Sequence, residues 1–299
     1  MATDYGNEAA FTYDGSSWSS PTTLGGRVQS ISCADSFSCT AVDDNGRVIT
    51  YNGDSWSAPV SIDGVERLVS VSCPSVAFCT AVDESGHALT YDGTWSAPVS
   101  IDSHGLPASV SCSSSFFCAV VDQSGQALIY DGNSWSAPAE IDHRESINYP
   151  ISSVSCPAAS FCIAIDRWGY AMAYNTSSWG APTDIDDNWA SLSFVSCPSA
   201  SFCAAVDEFG RALTYEGGTW GAPKWIGEGL RSVSCPSASF CAAVGEANGY
   251  LLEAEHGGQA IRVEQAAPCL LNQSLWWKRL GNRCELAVSD SGVMSKFTG

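Results

Sequence analysis

One phrase is written along the chain at a spacing of about forty residues, a period that belongs to arrays, solenoids and propellers. Its fullest copy runs Ser70-Val71-Ser72-Cys73-Pro74, then Phe78-Cys79-Thr80-Ala81-Val82-Asp83, then Gly86-His87-Ala88-Leu89-Thr90-Tyr91-Asp92-Gly93, and closes on Trp95-Ser96-Ala97-Pro98. The next copy opens at Ser109-Val110-Ser111-Cys112 and closes on Trp135-Ser136-Ala137-Pro138. A repeat of this kind constrains the fold more tightly than any local propensity, and it makes each recurring residue structural in the first instance.

Each unit divides into four short apolar runs. In the second unit these are Leu68–Cys73, Phe78–Val82, His87–Tyr91 and Trp95–Ile101, separated by Pro74-Ser75, Glu84-Ser85-Gly86 and Asp92-Gly93-Thr94. Alternation with β-branched and aromatic residues reads as strand, and the runs are too short for helices. Apolar spacing of three and four, which a helical solenoid requires, is not sustained. Four antiparallel strands per repeat of this length describe a propeller blade.

The cysteines count the blades. Of 14 cysteines, twelve fall into the pairs Cys33/Cys39, Cys73/Cys79, Cys112/Cys118, Cys156/Cys162, Cys197/Cys203 and Cys235/Cys241. Each pair flanks the turn between the first two strands of its unit, where facing residues lie about 4.5–5.5 Å apart at Cα, within disulfide range. Cys269 and Cys284 take the same two strand positions around a long insertion. The expectation is seven local disulfides, one per blade, in an oxidising compartment. Buried reduced thiols are the alternative. A metal reading is weaker, because the pairs recur without partnering histidines, of which the chain has four.

Met1 to Gly6 is polar and carries no leader pattern, so Met1 reads as an added start on a mature secreted chain. No apolar stretch is long enough to span a bilayer. At 299 residues and 45% hydrophobic, the chain can bury a large core as a single domain, 1–299. A net charge of -19 argues against nucleic acid and anionic membranes and favours cationic partners or divalent ions.

The ends share a seventh blade, roughly 1–25 with 266–299. Ala10 to Gly15 matches a third strand and Trp18 to Pro21 a fourth, while Cys284 to Val288 matches a second and Gly292 to Gly299 a third. An N-terminal strand then seals the last blade and removes exposed edges. Of the two candidate third strands, the C-terminal one continues a local hairpin and is the expected occupant.

Thr50-Tyr51-Asn52-Gly53-Asp54-Ser55-Trp56 and Tyr130-Asp131-Gly132-Asn133-Ser134-Trp135 resemble the Asp-box turn. That turn joins the third and fourth strands in sialidase-type and photosynthesis-assembly-factor-type propeller repeats. The resemblance, to secreted bacterial seven-bladed propellers with such repeats, implies a fold and an Asp and Trp that hold a hairpin. It supplies no catalytic positions: the arginines are scattered, where a sialidase-like site needs a cluster with a tyrosine nucleophile and carboxylates.

Among residues able to do chemistry, Trp18, Trp56, Trp95, Trp135, Trp179 and Trp220 begin the outer strands. Their bland role, shared with Tyr51, Tyr91, Tyr130, Tyr174 and Tyr215, is packing; their functional role would be a ring of platforms for sugars. Asp43, Asp83, Asp122, Asp166, Asp207 and Asp290 mark the loop between second and third strands. Asp63, Asp102, Asp142 and Asp186 end the fourth. These loops share one face, so the acids are either Asx turns or a face for cations. One corner departs from the repeat: the long stretch from Asp142 to Pro150, then Asp166-Arg167-Trp168-Gly169-Tyr170, Asp186-Asp187-Asn188-Trp189 and Glu208-Phe209. Exposed aromatics beside carboxylates and amides suit a sugar, whose apolar face stacks on a ring. The insertion from Leu270 to Arg283, with Trp276-Trp277-Lys278-Arg279, lies on the opposite face.

The sequence therefore points to an all-β, seven-bladed propeller of four-stranded antiparallel blades, secreted and without cofactor. The expected activity is non-catalytic glycan binding, with Trp168, Tyr170 and Trp189 stacking and Asp166, Arg167 and Asn188 as polar contacts. An enzyme using a carboxylate pair such as Asp166 and Asp187 and a protein–protein scaffold are the alternatives. Oligomeric state is not legible.

Overall fold

The structure, a computed structural model, describes residues 1–4, 8–13, 19–103, 106–142, 144, 150–186, 191–245, 248–254, 261–268 and 284–286. These residues form strands and turns and no helix. Among them are seven antiparallel sheets, each of four or five strands. Sheet 1 comprises Val28–Asp35, Ser38–Asp43, Arg47–Tyr51 and Val60–Ser61, paired in chain order. Sheets 2 to 6 repeat this plan from Leu68–Ser75, Pro107–Ser114, Ile151–Ala158, Leu192–Ser199 and Leu230–Ser237.

The fourth strand is shorter than the sequence suggests. In sheet 2 it is Val99–Ser100, and Trp95 makes only an isolated bridge to Tyr91. The intervening Ser96 explains the break. Its hydroxyl accepts the Thr90 N–H at 3.0 Å and donates to the Ala97 carbonyl at 2.9 Å, so a side chain takes one ladder bond before Pro98 while the Ser96 N–H still donates to the Thr90 carbonyl at 2.8 Å. Ser57 and Ser136 do the same in sheets 1 and 3.

The last sheet is built from both ends. Its order is Cys284–Leu286, Ala2–Asp4, Ala9–Phe11, Thr22–Thr23. This corrects the expected assignment twice. Cys284 belongs to a first strand, not a second, and Ala9–Phe11 holds the third place expected of the C-terminal segment. The reason is that Ala2-Thr3-Asp4 repeats the close of a second strand, as Ala41-Val42-Asp43 does, so the N-terminus already carries a complete hairpin. Gly292 to Gly299 and Cys269 lie outside the described residues.

Successive sheets stack face to face, and the core lies between them. Val42, Leu68, Val71 and Leu89 join sheets 1 and 2; Phe117, Ile151, Val154 and Met172 join sheets 3 and 4. The last sheet packs on both neighbours, through Ala10 and Leu24 against Ile31 and Ile49, and through Ala2 and Phe11 against Ala242 and Val244. This stacking explains why second strands such as Phe78–Asp83 are buried along their whole length: both faces meet another sheet.

First strands lie at a sheet edge, where unpaired N–H groups need partners. The Ser-x-Ser-Cys phrase supplies them. The Ser30 and Ser32 hydroxyls accept the N–H groups of Val71 and Cys73 in the next sheet, at 3.2 and 2.9 Å. Ser70 and Ser72 serve Val110 and Cys112, and Ser153 and Ser155 serve Val195 and Cys197. The repeat thus encodes contacts between units as well as within them.

Six disulfides close the hairpins of sheets 1 to 6: Cys33–Cys39, Cys73–Cys79, Cys112–Cys118, Cys156–Cys162, Cys197–Cys203 and Cys235–Cys241. The expected neighbours are bonded, and none of these twelve is the reduced thiol weighed as the alternative. Two corrections accompany the pairing. The Cα atoms are 3.9–4.1 Å apart, closer than ordinary facing residues. A register shift at or beside each first-strand cysteine, as between Cys33 and Asp35 or Ser72 and Ser75, breaks the regular ladder spacing there. Nor are the bonds mere clips on the turns. Cys39, Cys79, Cys118, Cys162, Cys203 and Cys241 are buried in the apolar clusters between sheets, because second strands have a neighbour on both faces. These cysteines are therefore core positions, not ligand positions. The six bonds are consistent with an oxidising environment. No described helix is long and apolar enough to cross a membrane.

Candidate functional site

The turn from second to third strand ends in a glycine at positive φ. At Gly86 (φ 89°) an added Cβ would lie 1.8 Å from the Asp102 carbonyl. That closeness lets the Gly86 carbonyl accept the N–H groups of Ile101 and Asp102, at 2.9 and 3.1 Å. The same clasp recurs at Gly46, Gly125, Gly169 and Gly210. It delivers the fourth-strand aspartate of one sheet to the second-strand aspartate of the next.

The two acidic series therefore meet in pairs between sheets. Asp63 lies close enough to Asp83, and Asp102 to Asp122, for the carboxyls of each pair to act on one another. Arg144 bridges Asp142, with Nε to Oδ1 at 2.8 Å, and Asp166. Arg211 bridges Asp207 at 2.6 Å and Asp186 at 2.9 Å. His87 lies 2.7 Å from Asp83. Arg47 reaches Asp43 and the Gly25 carbonyl, since a glycine replaces the fourth-strand acid there. Between sheets 5 and 6 both acids are glycines, Gly227 and Gly245.

These carboxylates are buried and also cap their own turns. Asp83 accepts the N–H groups of Ser85 and His87, and Asp207 that of Arg211. The Asx reading of the acidic face thus has hydrogen bonds behind it, and the described residues hold no cluster of three or more candidate metal ligands. The recurring tryptophans pack on the recurring tyrosines of their own sheets, with ring centres 5.3–5.6 Å apart from Tyr51–Trp56 to Tyr215–Trp220. Trp18 and Asp290 lie outside the described residues.

At the divergent corner, Asp166 is fully buried. Its Oδ1 accepts the Trp168 and Tyr170 N–H groups, each at 2.8 Å, and its Oδ2 meets Arg144. The Arg144 guanidinium stacks 3.8 Å above the Tyr170 ring. Burial opposes that guanidinium's charge, but Asp142 and Asp166 outweigh it and raise its pKa. Arg167 is exposed, 3.9 Å from Glu208, and Trp168 is half-buried. The structure thus brings Asp166, Arg167, Trp168 and Tyr170 together on one turn. Asp187, Asn188 and Trp189 lie outside the described residues. The bridging role of Arg144 was not legible, because its spacing from Asp142 matches no other copy.

Burial raises the Asp122 carboxyl to about 6, against the Gln126 and Ser124 N–H bonds, with Asp102 adding to the rise. Asp63 is raised to about 6 by burial and by Asp83. For Asp122 the folded pKa exceeds the unfolded one. Its stabilisation is therefore complete below the unfolded value of 3.8 and is lost as pH climbs through about 6. Asp122→Asn keeps an acceptor for the two N–H groups and cannot ionise. The variant is expected to gain stability over the parent at pH 8, by at most about 3 kcal/mol, with the gain vanishing toward pH 4. Urea unfolding at both pH values measures it, and a pH-independent difference would refute the assignment.

The hairpin tips form the opposite face. Phe37, Val76 and Phe116 are exposed there, on three successive sheets; in the next three the place of Phe37 and Phe116 is taken by Ser160, Ser201 and Ser239, and that of Val76 by Ala159, Ala200 and Ala238. These positions were passed over in the sequence. The available signal was that the tip residue differs between otherwise similar copies.

Neither a protein-family model nor a curated protein sequence matches this chain. Solved structures do. YCF48 bound to D1 peptide superposes with a TM-score of 0.60 at 14% identity, over 89% of this chain and 84% of that one. YCF48 from Cyanidioschyzon merolae gives 0.60 at 17%, over 82% and 87%. The WD40 β-propeller domain of Doa1 gives 0.63 at 11%, over 78% and 80%. At these identities the likeness establishes the architecture: the chain has a β-propeller fold.

Proposed function

We propose that the chain is one closed seven-bladed propeller, residues 1–299, secreted, that serves as a scaffold for binding a polypeptide partner. Closure is supported by Cys284–Leu286, which lies against the first strands of both sheet 6 and sheet 1. A seventh disulfide, Cys269–Cys284, is part of the same proposal; with Cys284 on a first strand it would tie that strand to the segment that follows sheet 6 rather than close a hairpin.

The observation that carries the binding role is the chemistry of the exposed side chains. Phe37, Val65, Val76, Leu106, Phe116 and Phe209 project from tips and loops of a frame whose recurring Trp and Asp residues are engaged internally. Three of the six, Val65, Val76 and Leu106, are aliphatic and offer no flat ring to a sugar, but match the side chains of a polypeptide. One propeller of this architecture is described as bound to a peptide. Glycan binding at Arg167, Trp168 and Tyr170 is a second reading, favoured by the half-exposed Trp168 beside exposed Arg167.

Panning a phage-displayed library of random peptides on the folded protein, beside a glycan array, tests both. Enriched peptides that bind saturably as free synthetic peptides support the scaffold. Glycan binding abolished by Trp168→Ala, with no peptide retained, would replace it with the carbohydrate reading.

A further inference from the structure

The exposed tip residues are not required by the hairpins that carry them. All six tips are closed by a disulfide. In sheets 5 and 6 the place of Phe37 and Phe116 is taken by Ser201 and Ser239. Their hydroxyls lie 3.0 and 3.1 Å from those of Ser199 and Ser237. A polar tip therefore satisfies this turn without exposing apolar surface.

Sheets 1 to 3 instead leave Phe37, Val76 and Phe116 exposed at 68%, 59% and 72%. Neither phenylalanine is loose. Phe37 rests on Gly53 and Phe116 on Gly132, where an added Cβ would come within 3.0 and 2.8 Å of a ring carbon. Each ring thus has one side seated on its own sheet's third-to-fourth turn and the rest open. A ring held in place loses little further freedom when a partner covers it.

The surroundings are of one sign. Asp35 flanks Phe37 and holds its N–H at 2.7 Å, while Asp54, Asp92 and Asp131 are exposed on the adjoining turns. Asp131 accepts two N–H groups of its turn, which lower its pKa and keep it charged. The described arginines and lysine, Arg27, Arg47, Arg67, Arg144, Arg167, Arg211, Lys224, Arg231 and Arg262, all lie in other loops or strands. The tips and third-to-fourth turns of sheets 1 to 3 hold none.

We infer that the hairpin-tip arc of sheets 1 to 3 is the docking surface, and that its occupant is a cationic, apolar polypeptide segment. This rests on the scaffold reading and specifies its site and partner chemistry. Apolar side chains of the segment cover Phe37, Val76 and Phe116, and lysine or arginine side chains meet the four carboxylates. A chain of net charge -19 also draws such a segment in by long-range attraction.

The test uses the full chain and a labelled peptide of alternating lysine and leucine, with its glutamate–leucine counterpart as control. Phe37→Ser with Phe116→Ser installs the tip residue of the other sheets without changing charge, and circular dichroism confirms the fold. The lysine peptide is expected to bind saturably and the glutamate peptide not at all. The double variant should lose about tenfold or more in affinity, and Val99→Ser, in the exposed fourth strand of sheet 2, should lose none. Equal affinity for parent and double variant would overturn the site, because charge alone would then explain the binding. Self-association of the protein that the double variant abolishes, without lysine-peptide binding, would assign the arc to a second copy and also overturn it. If library-derived peptides bind parent and double variant equally, the scaffold stands and this arc falls; if no peptide of any kind binds, the scaffold reading itself falls.

Discussion

Reduction and alkylation of the chain is expected to abolish its cooperative unfolding transition at about 37 °C. Each described disulfide joins cysteines six positions apart. Closing so short a loop removes denatured-state entropy worth about 2 kcal/mol. Six such bridges approach the whole stability of a typical domain, about 5–15 kcal/mol. The bridges also sit in the buried clusters between sheets, as Cys112 and Cys118 do beside Val110 and Leu128, so reduced thiols would disturb packing as well. A single opening, Cys112→Ser with Cys118→Ser, should cost about 2 kcal/mol by urea unfolding. A reduced chain that kept its far-ultraviolet spectrum and its melting temperature would show that packing and serine contacts suffice.

The second large effect is expected from Arg211→Ala. The guanidinium holds the Asp186 and Asp207 side chains, both without solvent exposure, between sheets 4 and 5. Its removal leaves two buried charges facing each other, a loss of about 3–5 kcal/mol. The penalty requires ionised carboxylates. The loss is therefore expected to be larger at pH 8 than at low pH, where carboxylates carry protons. Adding Asp186→Asn and Asp207→Asn should restore most of the stability at pH 8. The junction between sheets 5 and 6 already lacks both acids, at Gly227 and Gly245, and carries neutral Asn248 in the arginine's place. A loss independent of pH, or one that the two asparagines leave untouched, would mean that Arg211 acts through packing alone.

Strand order within each repeat and the cysteine partners were legible because they depend on residues close in sequence. Cys73 and Cys79 face each other whatever surrounds their hairpin. The burial of second-strand cysteines such as Cys162 and Cys203 was not legible, since it needs the next sheet to cover them. The Trp–Tyr contacts had the same local origin as the disulfides, at positions such as Trp95 and Tyr91. The share of each end in the last sheet was less legible. Three residues, Ala2-Thr3-Asp4, were enough to make a second strand but too few to stand out as a repeat. At the divergent corner, chain position alone predicted that Asp166, Arg167, Trp168 and Tyr170 share a turn. It did not predict that the Asp166 carboxylate faces inward onto Arg144.

The sequence by itself determined an all-β repeat with a disulfide in each of the six hairpins of sheets 1 to 6, because period, turn glycines and cysteine spacing act within a unit. Only the tertiary structure decided what lies between units. It made Ser-x-Ser a bond to the next sheet, and it paired Asp186 with Asp207 through Arg211. It also left Phe37 and Phe116 open at the hairpin tips. The physical reason is that burial and pairing of a side chain depend on the face a neighbouring sheet presents, about forty residues away in this kind of repeat. Within one copy an aspartate that caps a turn and one that awaits a ligand are the same letter, and only the stacking of the sheets tells them apart.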